Sequence, residues 1–187
     1  MRTIFTFILL LVTFNVIADD LLWIKLQQEP NMVVLMRNTE SSGNKDGSNM
    51  LVWDETGNCE GESKLTKDGK AHANRIGEAF ARHGITPLAI SSPMCRCTET
   101  AKIAFEEYVT DPDLRQSASS NSQGQQKFLT RATNLLLEYR GKTPIAFVNH
   151  GPNIDSLTME LLNPGEMLVG SVNESGEVEV LGKIRIE

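Results

Sequence analysis

Three side chains suited to holding an anion stand next to predicted strand ends. Arg37 closes an apolar run that begins at Met32, Arg96 follows a Ser-Ser-Pro sequence, and His150 follows the apolar run 144–149. Arginine presents planar, paired N–H donors that match phosphate oxygens, and an imidazole adds a further polar group. Each residue alone is more often a surface group. Together they predict a site for a phosphate group.

This prediction depends first on the apolar run that ends at Arg37. It contains β-branched residues, follows Pro30-Asn31 and stops at a Ser-Ser-Gly turn, which favours a buried strand over a helix. Ligand sites in open α/β sheets gather at the carboxyl ends of strands. We therefore expect this strand to deliver Arg37 and Asn38 to such an end.

A helix beginning within the Ser92–Arg96 stretch is expected to position Arg96. A short strand at 87–91 leads into Ser92, which we expect to cap the helix, with Pro93 at the first helical position. Arg96 then lies in the first turn. The free backbone amides and the positive dipole end of that helix would add to the anion site.

The other predicted elements alternate between strand and helix. A helix is expected from Lys67, capped by Thr66 and ended by Gly84. Further along we expect a helix over 128–139, a strand over 144–149, a short helix over 154–162 and a hairpin of 167–172 with 178–186. Residues 44–64 are expected to form a long irregular excursion, and the polar stretch 111–126 a loop or a partly disordered segment. This order indicates one layered α/β domain, over residues 19–187.

The charge balance and the first residues bear on partners and location. The chain carries 18 Lys and Arg against 24 Asp and Glu, a formal net charge of −6, with its basic residues dispersed, so nucleic acid is not expected as a partner. Residues 1–18 have the form of a secretory signal peptide, with a positive charge at Arg2, an apolar core from Ile4 to Phe14 and a small residue at Ala18. The alternative is a membrane anchor, but this apolar core is too short to span a membrane. We expect cleavage after Ala18, a periplasmic or secreted protein, and no stable membrane span once the signal is removed.

The three cysteines are expected to supply one disulfide, since disulfides persist in exported proteins. Cys95 and Cys97 are only two residues apart and awkward to bridge, so Cys59 is expected to pair with one of them. A zinc site is the alternative, but this spacing matches none of the usual ligand patterns. We predict neither a metal nor another cofactor.

Taken in order, these motifs resemble the histidine phosphatase superfamily, also called phosphoglycerate mutase-like, from about Val33 to Ile186. The resemblance is carried by Leu35-Met36-Arg37-Asn38-Thr39-Glu40 against the family's Arg-His-Gly/Ala start, Leu65-Thr66-Lys67-Asp68-Gly69 with Ala73, Ser91-Ser92-Pro93 with Arg96 and Thr100-Ala101, and His150-Gly151. It implies an exported bacterial type with a three-layer α/β/α sandwich and a mainly parallel central sheet.

The resemblance also implies a mechanism, in which a strand-end histidine attacks a phosphoryl group and water hydrolyses the phosphohistidine. Arg37, Arg96 and His150 match the groups that hold the phosphoryl oxygens. Asn38 stands where the attacking histidine is expected. An amide nitrogen has its lone pair delocalised into the carbonyl and is not a nucleophile, so turnover is expected to be absent, although Asn38 can still donate a hydrogen bond.

The proton donor of this mechanism is also altered. Many relatives carry a glutamate two residues after a leucine, where this chain has Leu114-Arg115-Gln116. Asp46, in the excursion after the first strand, is the preferred substitute. Glu40 and Glu166 are the alternatives.

These observations leave functions of different classes open. One is a phosphatase of phosphomonoesters whose nucleophile has been changed to Asn38, either naturally or by design. Another is an exported pseudophosphatase that binds a phosphorylated small molecule, such as an envelope sugar phosphate, without chemistry. The third is an interaction domain with no anion site. Phosphate titration discriminates the third function from the other two. The sequence leaves the oligomeric state open.

Overall fold

The computed structural model describes residues 18–142 and 144–187. The predicted signal peptide, residues 1–18, lies outside the described residues except for Ala18, which begins the first helix.

The described chain forms one six-stranded sheet with helices on both faces. The strands are β1 (Met32–Arg37), β2 (Leu88–Ser91), β3 (Val109–Thr110), β4 (Ile145–Asn149), β5 (Met167–Val172) and β6 (Val178–Ile184). The helices are α1 (Ala18–Gln28), α2 (Ser42–Asp46), α3 (Lys67–Arg82), α4 (Cys95–Phe105), α5 (Ser122–Tyr139) and α6 (Gly151–Thr158), with a 3-10 turn at Pro112–Leu114. The strand order is β3-β2-β4-β1-β5-β6. The strands β3, β2, β4 and β1 are parallel to one another, and β5 runs antiparallel to β1 and β6.

The alternation of side chains along β1 divides the core into two layers. Val34 and Met36 pack on one face with residues of α1, α3 and α4, whereas Val33 and Leu35 pack on the other with residues of α5 and α6. The predicted α/β fold with a mostly parallel central sheet is confirmed. Among the described helices, none is long and apolar enough to cross a membrane.

The N-terminus of α3 agrees with its prediction and explains why residue 69 is a glycine. Thr66 caps the helix, because its hydroxyl accepts a hydrogen bond from the backbone amide of Gly69 at 3.0 Å. A Cβ on Gly69 would lie 2.0 Å from the carbonyl oxygen of Glu40. Only glycine therefore lets this helix approach the backbone that follows β1 so closely.

The predicted start of α4 was wrong. The helix begins at Cys95 with Met94 at the N-cap position, rather than with Ser92 as cap. The hydroxyl of Ser92 lies 2.7 Å from Nε2 of His150 and also accepts from the backbone amide of Met94 at 3.4 Å, before the helix begins. Arg96 still lies in the first turn, as predicted.

Several other boundaries differ from the predictions. The segment 111–126 is ordered: it holds a 3-10 turn, and α5 already begins at Ser122, capped by Asn121, whose Oδ1 accepts from the amide of Gly124 at 3.0 Å. The excursion that follows β1 begins with the short helix α2, and α6 spans Gly151–Thr158 instead of 154–162. Helix α1 and the edge strand β3 were not predicted.

Candidate functional site

The ends of β1 and β4 bring two of the predicted site segments together. Arg37 and Asn149 are register partners in these adjacent parallel strands. The amide of Asn38 donates to the carbonyl of Asn149 at 2.9 Å, which places Asn38 beside the residue that precedes His150. Both strands are buried on both faces, so the site lies on a rigid frame.

Arg96 is the most unusual residue of this region. Its side chain is fully buried, with 0% of the residue exposed. Its Nη2 donates to the carbonyl of Met50 and to Oε1 of Gln116, both at 2.9 Å, whereas Nε and Nη1 are buried and have no partner in the described chain. A buried guanidinium with unpaired donors is costly unless an anion completes its hydrogen bonds.

His150 lies next to Arg96 in the same buried region and is 1% exposed. Its ring contacts the hydroxyl of Ser92 at 2.7 Å and the sulfur of Cys97 at 3.6 Å. Burial, with the charges of Arg96 and Arg37, lowers the pKa of His150 well below its usual value. The imidazole is therefore neutral at pH 7 until an anion offsets the two arginines.

Arg37 is half-buried and lies against the start of α6. Its Nη1 donates to the carbonyl of Leu162 at 2.7 Å. A Cβ on Gly151 would lie 3.4 Å from Nε of Arg37, so the guanidinium lies directly beside the backbone after His150. Burial lowers the pKa of Arg37 and also that of Arg96, which lies near enough for the charge of Arg37 to lower it further.

Asn38 is buried and held by its neighbours. Its amide nitrogen donates to the carbonyl of Thr39 at 2.8 Å and to Oδ1 of Asn44 at 3.3 Å. Asn38 therefore donates hydrogen bonds, as expected, and its acceptors in this conformation belong to the protein itself. The buried donors without a partner in the described part of this site are Nε and Nη1 of Arg96 and the side-chain nitrogens of Asn44 and Asn149.

Three residues at this site were missed by the sequence analysis as parts of it. Cys97 contacts the ring of His150, and burial raises the pKa of its thiol to about 12. Gln116 and the carbonyl of Met50 both accept from Arg96. The only sequence signal was for Gln116, which stands where many relatives are expected to carry a glutamate.

The three candidate proton donors lie in environments that stabilise the carboxylate. Asp46 is exposed, and hydrogen bonds from Ser48 lower its pKa. Bonds from Thr66 and Lys45 lower the pKa of Glu40. Burial raises the pKa of Glu166, but hydrogen bonds from Asn163 and Arg185 outweigh burial and lower it overall. None of the three carboxyls is tuned to hold a proton near neutral pH.

The helix start of α4 is occupied by a side chain of the protein. Glu62 is buried, and its Oε2 accepts from the amide of Cys95 at 2.7 Å. This carboxylate takes the place at the helix terminus that we had expected an anion to use. The anion site therefore rests on the side chains of α4 more than on its backbone.

The disulfide joins Cys59 to Cys95, which decides between the two pairings left open. Cys97 is free and buried. Two of the three cysteines are thus not available to the alternative zinc site. Within residues 18–142 and 144–187, no group of three or more His, Cys, Asp or Glu could hold a metal ion.

The fold and this site define an α/β protein with one buried and one half-buried arginine near the carboxyl end of a mostly parallel sheet. Residues 34–132 match the profile of the Histidine phosphatase superfamily (branch 1), and the chain belongs to this family. A search of curated proteins gave no significant match.

Solved structures share the fold at low sequence identity. The phosphoglycerate mutase from Thermus thermophilus is 19% identical with a TM-score of 0.59, over 83% of this chain and 99% of that chain. The protein histidine phosphatase SixA, complexed with tungstate, is 13% identical with a TM-score of 0.58, over 82% and 96%. The phosphoserine phosphatase from Entamoeba histolytica, complexed with 3-phosphoglyceric acid, is 15% identical with a TM-score of 0.59, over 83% and 98%.

Proposed function

We propose that this protein binds phosphate monoesters at Arg37, Arg96 and His150 and does not hydrolyse them. The observation that carries the proposal is the fully buried guanidinium of Arg96 with two unpaired nitrogen groups. A phosphoryl group supplies the acceptors that these two nitrogens lack. Hydrolysis is absent because Asn38 has no free lone pair on nitrogen.

The main alternative is a phosphomonoesterase whose parent carried histidine at position 38. The retained arginines and His150 favour a pocket still suited to phosphate. An interaction domain without an anion site accounts for none of the unpaired donors of Arg96. The two phosphate-binding hypotheses differ only in whether chemistry occurred before the change at Asn38.

The expected ligand is a phosphorylated small molecule outside the cytoplasm. Two observations support export: the signal-like sequence over residues 1–18, and the disulfide between Cys59 and Cys95. An envelope sugar phosphate suits that location.

Isothermal titration with inorganic phosphate tests the proposal. The protein is expected to bind phosphate, more weakly at high salt, and Arg96→Ala is expected to lose about 1.5 to 3 kcal/mol, roughly tenfold to a hundredfold in Kd. Arg37→Ala, at a half-buried position, repeats the test where the fold is less affected. Arg82→Ala, on the exposed end of α3, is the matched control. Equal affinity of all four proteins would show that the assigned pocket is wrong.

A further inference from the structure

A cleft lies directly beside the buried anion receptor. It has a volume of about 650 Å³ and runs between the segment 47–52 and the segment 116–119. Pro152, in the first turn of α6 two residues after His150, closes one side. Small-molecule sites commonly measure about 300 to 1,000 Å³, so the cleft has room for an organic group of sugar size.

Two groups connect this cleft to Arg96. The carbonyl of Met50 and the side chain of Gln116 both accept from Nη2 of Arg96, and both residues line the cleft. The cleft therefore adjoins the Nη2 side of this guanidinium, next to the group on which we propose that the phosphoryl oxygens bind.

Among the described residues that line the cleft, none has a charged side chain. This composition is informative because 22% of the whole chain is charged. The hydrogen-bonding side chains are amides and hydroxyls, those of Asn49, Gln116, Ser117, Ser119 and Gln125. Leu51 and Val52, which are 51% and 41% exposed, add apolar surface. Neutral donors and acceptors match hydroxyl groups, whereas a carboxylate or an ammonium would lose water without gaining a counter-ion.

Internal hydrogen bonds hold the wall formed by residues 117–119. Nε2 of Gln125 donates to the carbonyl of Ser119 at 3.1 Å, which fastens this segment to α5. A Cβ on Gly124 would lie 2.4 Å from the hydroxyl of Ser117, so the loop packs directly on the helix start. The cleft therefore has one ordered wall.

We propose that this cleft receives the uncharged, hydroxyl-bearing organic group of a phosphate ester, and that it selects such esters over those with a charged organic group. The proposal rests on the proposed function, because the phosphoryl group must occupy the site at Arg96. It adds the place that receives the organic group and the selection against esters whose organic group is charged.

Calorimetric competition against inorganic phosphate on the full chain tests this selectivity. The probes are glucose 6-phosphate, 3-phosphoglycerate and phosphoethanolamine, whose organic groups are neutral, anionic and cationic. Glucose 6-phosphate is expected to bind about tenfold more tightly than inorganic phosphate, and the other two no more tightly than phosphate.

Variants of the ordered wall test whether the selectivity for glucose 6-phosphate arises in this cleft. Ser119→Ala and Gln125→Ala are each expected to weaken glucose 6-phosphate about threefold to tenfold and to leave inorganic phosphate unchanged. Gln126→Ala, which removes the next amide of α5 outside the cleft, is expected to change neither affinity.

The outcomes separate the two proposals. If phosphate binds but the three esters bind equally, or if the wall variants leave glucose 6-phosphate unchanged, the selectivity proposal is overturned and the proposed function stands. If inorganic phosphate itself does not bind, the proposed function fails and the selectivity proposal fails with it.

Discussion

In the proposed function, the side chain at position 38 determines whether this site can form a covalent bond to phosphorus. Asn38 lies after β1 with its nitrogen bonded to Thr39 and Asn44, and its amide has no nucleophilic lone pair. The rest of the receptor, Arg37 with Arg96 and His150, does not depend on that atom. Loss of chemistry and retention of binding can therefore coexist.

The first residue-scale prediction is that Asn38→His converts a silent protein into a phosphomonoesterase. A histidine supplies the missing nitrogen lone pair, and a base-stable, acid-labile phosphoenzyme should appear on the variant. Adding Gln116→Glu places a carboxyl beside Arg96 and should raise the rate by roughly 10² to 10⁴ if that carboxyl acts as the proton donor. Release of phosphate from a panel of monoesters measures the gain.

Asn38→Gln is the matched control, because it keeps an amide and should stay inactive. Removing Arg37 from the active variant should abolish turnover. Hydrolysis by the unmodified protein through a phosphoenzyme would contradict the role assigned to Asn38. An Asn38→His variant that binds phosphate without hydrolysis would favour a protein that has also lost its proton donor or its substrate cleft.

At the scale of elements, the excursion after α2 is fastened to the start of α4 at several points. The disulfide links Cys59 to Cys95, Glu62 accepts from the amide of Cys95, and the carbonyl of Met50 accepts from Arg96. The same helix turn thus carries the anchor of the loop and the main cation of the site. Loosening the loop is expected to disturb the receptor.

The element-scale prediction concerns the disulfide. Replacing both Cys59 and Cys95 with serine should lower the free energy of unfolding by about 3 to 4 kcal/mol in the chain-entropy estimate and weaken phosphate binding. Urea unfolding and calorimetry measure the two effects.

Thiol counting is the control for this prediction. The native protein should show no reactive thiol, because Cys97 is buried and the pKa of its thiol is raised to about 12, and the denatured protein should show one. Three thiols in the denatured protein, purified without reductant, would contradict the bridge.

At the scale of the whole molecule, the buried histidine makes stability depend on pH. The pKa of His150 lies well below its usual value in the folded protein, whereas an unfolded histidine takes up a proton near pH 6.5. As pH falls below that value, His150 binds a proton in the unfolded chain but stays neutral in the native chain. Above about pH 6.5 this histidine therefore does not lower the free energy of unfolding, and below it the free energy of unfolding falls with decreasing pH.

The whole-molecule prediction is that the free energy of unfolding decreases by up to about 1.4 kcal/mol per pH unit for this proton between roughly pH 6.5 and pH 5. The lowered pKa of half-buried His72 adds an effect of the same sign. Bound phosphate should reduce the dependence, since a nearby anion favours the imidazolium. Urea unfolding across this range measures it, and His150→Gln should flatten the curve. A flat curve for the unmodified protein would mean that His150 is not held neutral.

The sequence by itself predicted the fold class, the strand that ends at Arg37, the cap at Thr66 and the closing hairpin. These features depend on local causes, namely apolar periodicity, capping side chains and turn residues. It also predicted Arg37, Arg96 and His150 as a set and, through the family resemblance, Asn38 in place of a histidine, because short motifs kept their order along the chain; both stay predictions. Residues 1–18 were predicted to be a signal peptide, and this stays a prediction.

Tertiary structure alone decided which groups surround those residues. Ser92 does not occupy the N-cap position predicted for it, and its hydroxyl contacts His150, 58 residues away. Gln116 and Met50 reach Arg96 from segments 20 and 46 residues distant. Such contacts depend on how the sheet and helices pack, which local propensity does not encode. The unpaired donors of Arg96 follow from the same cause, since whether a buried charge has partners is settled only when every neighbouring segment is in place.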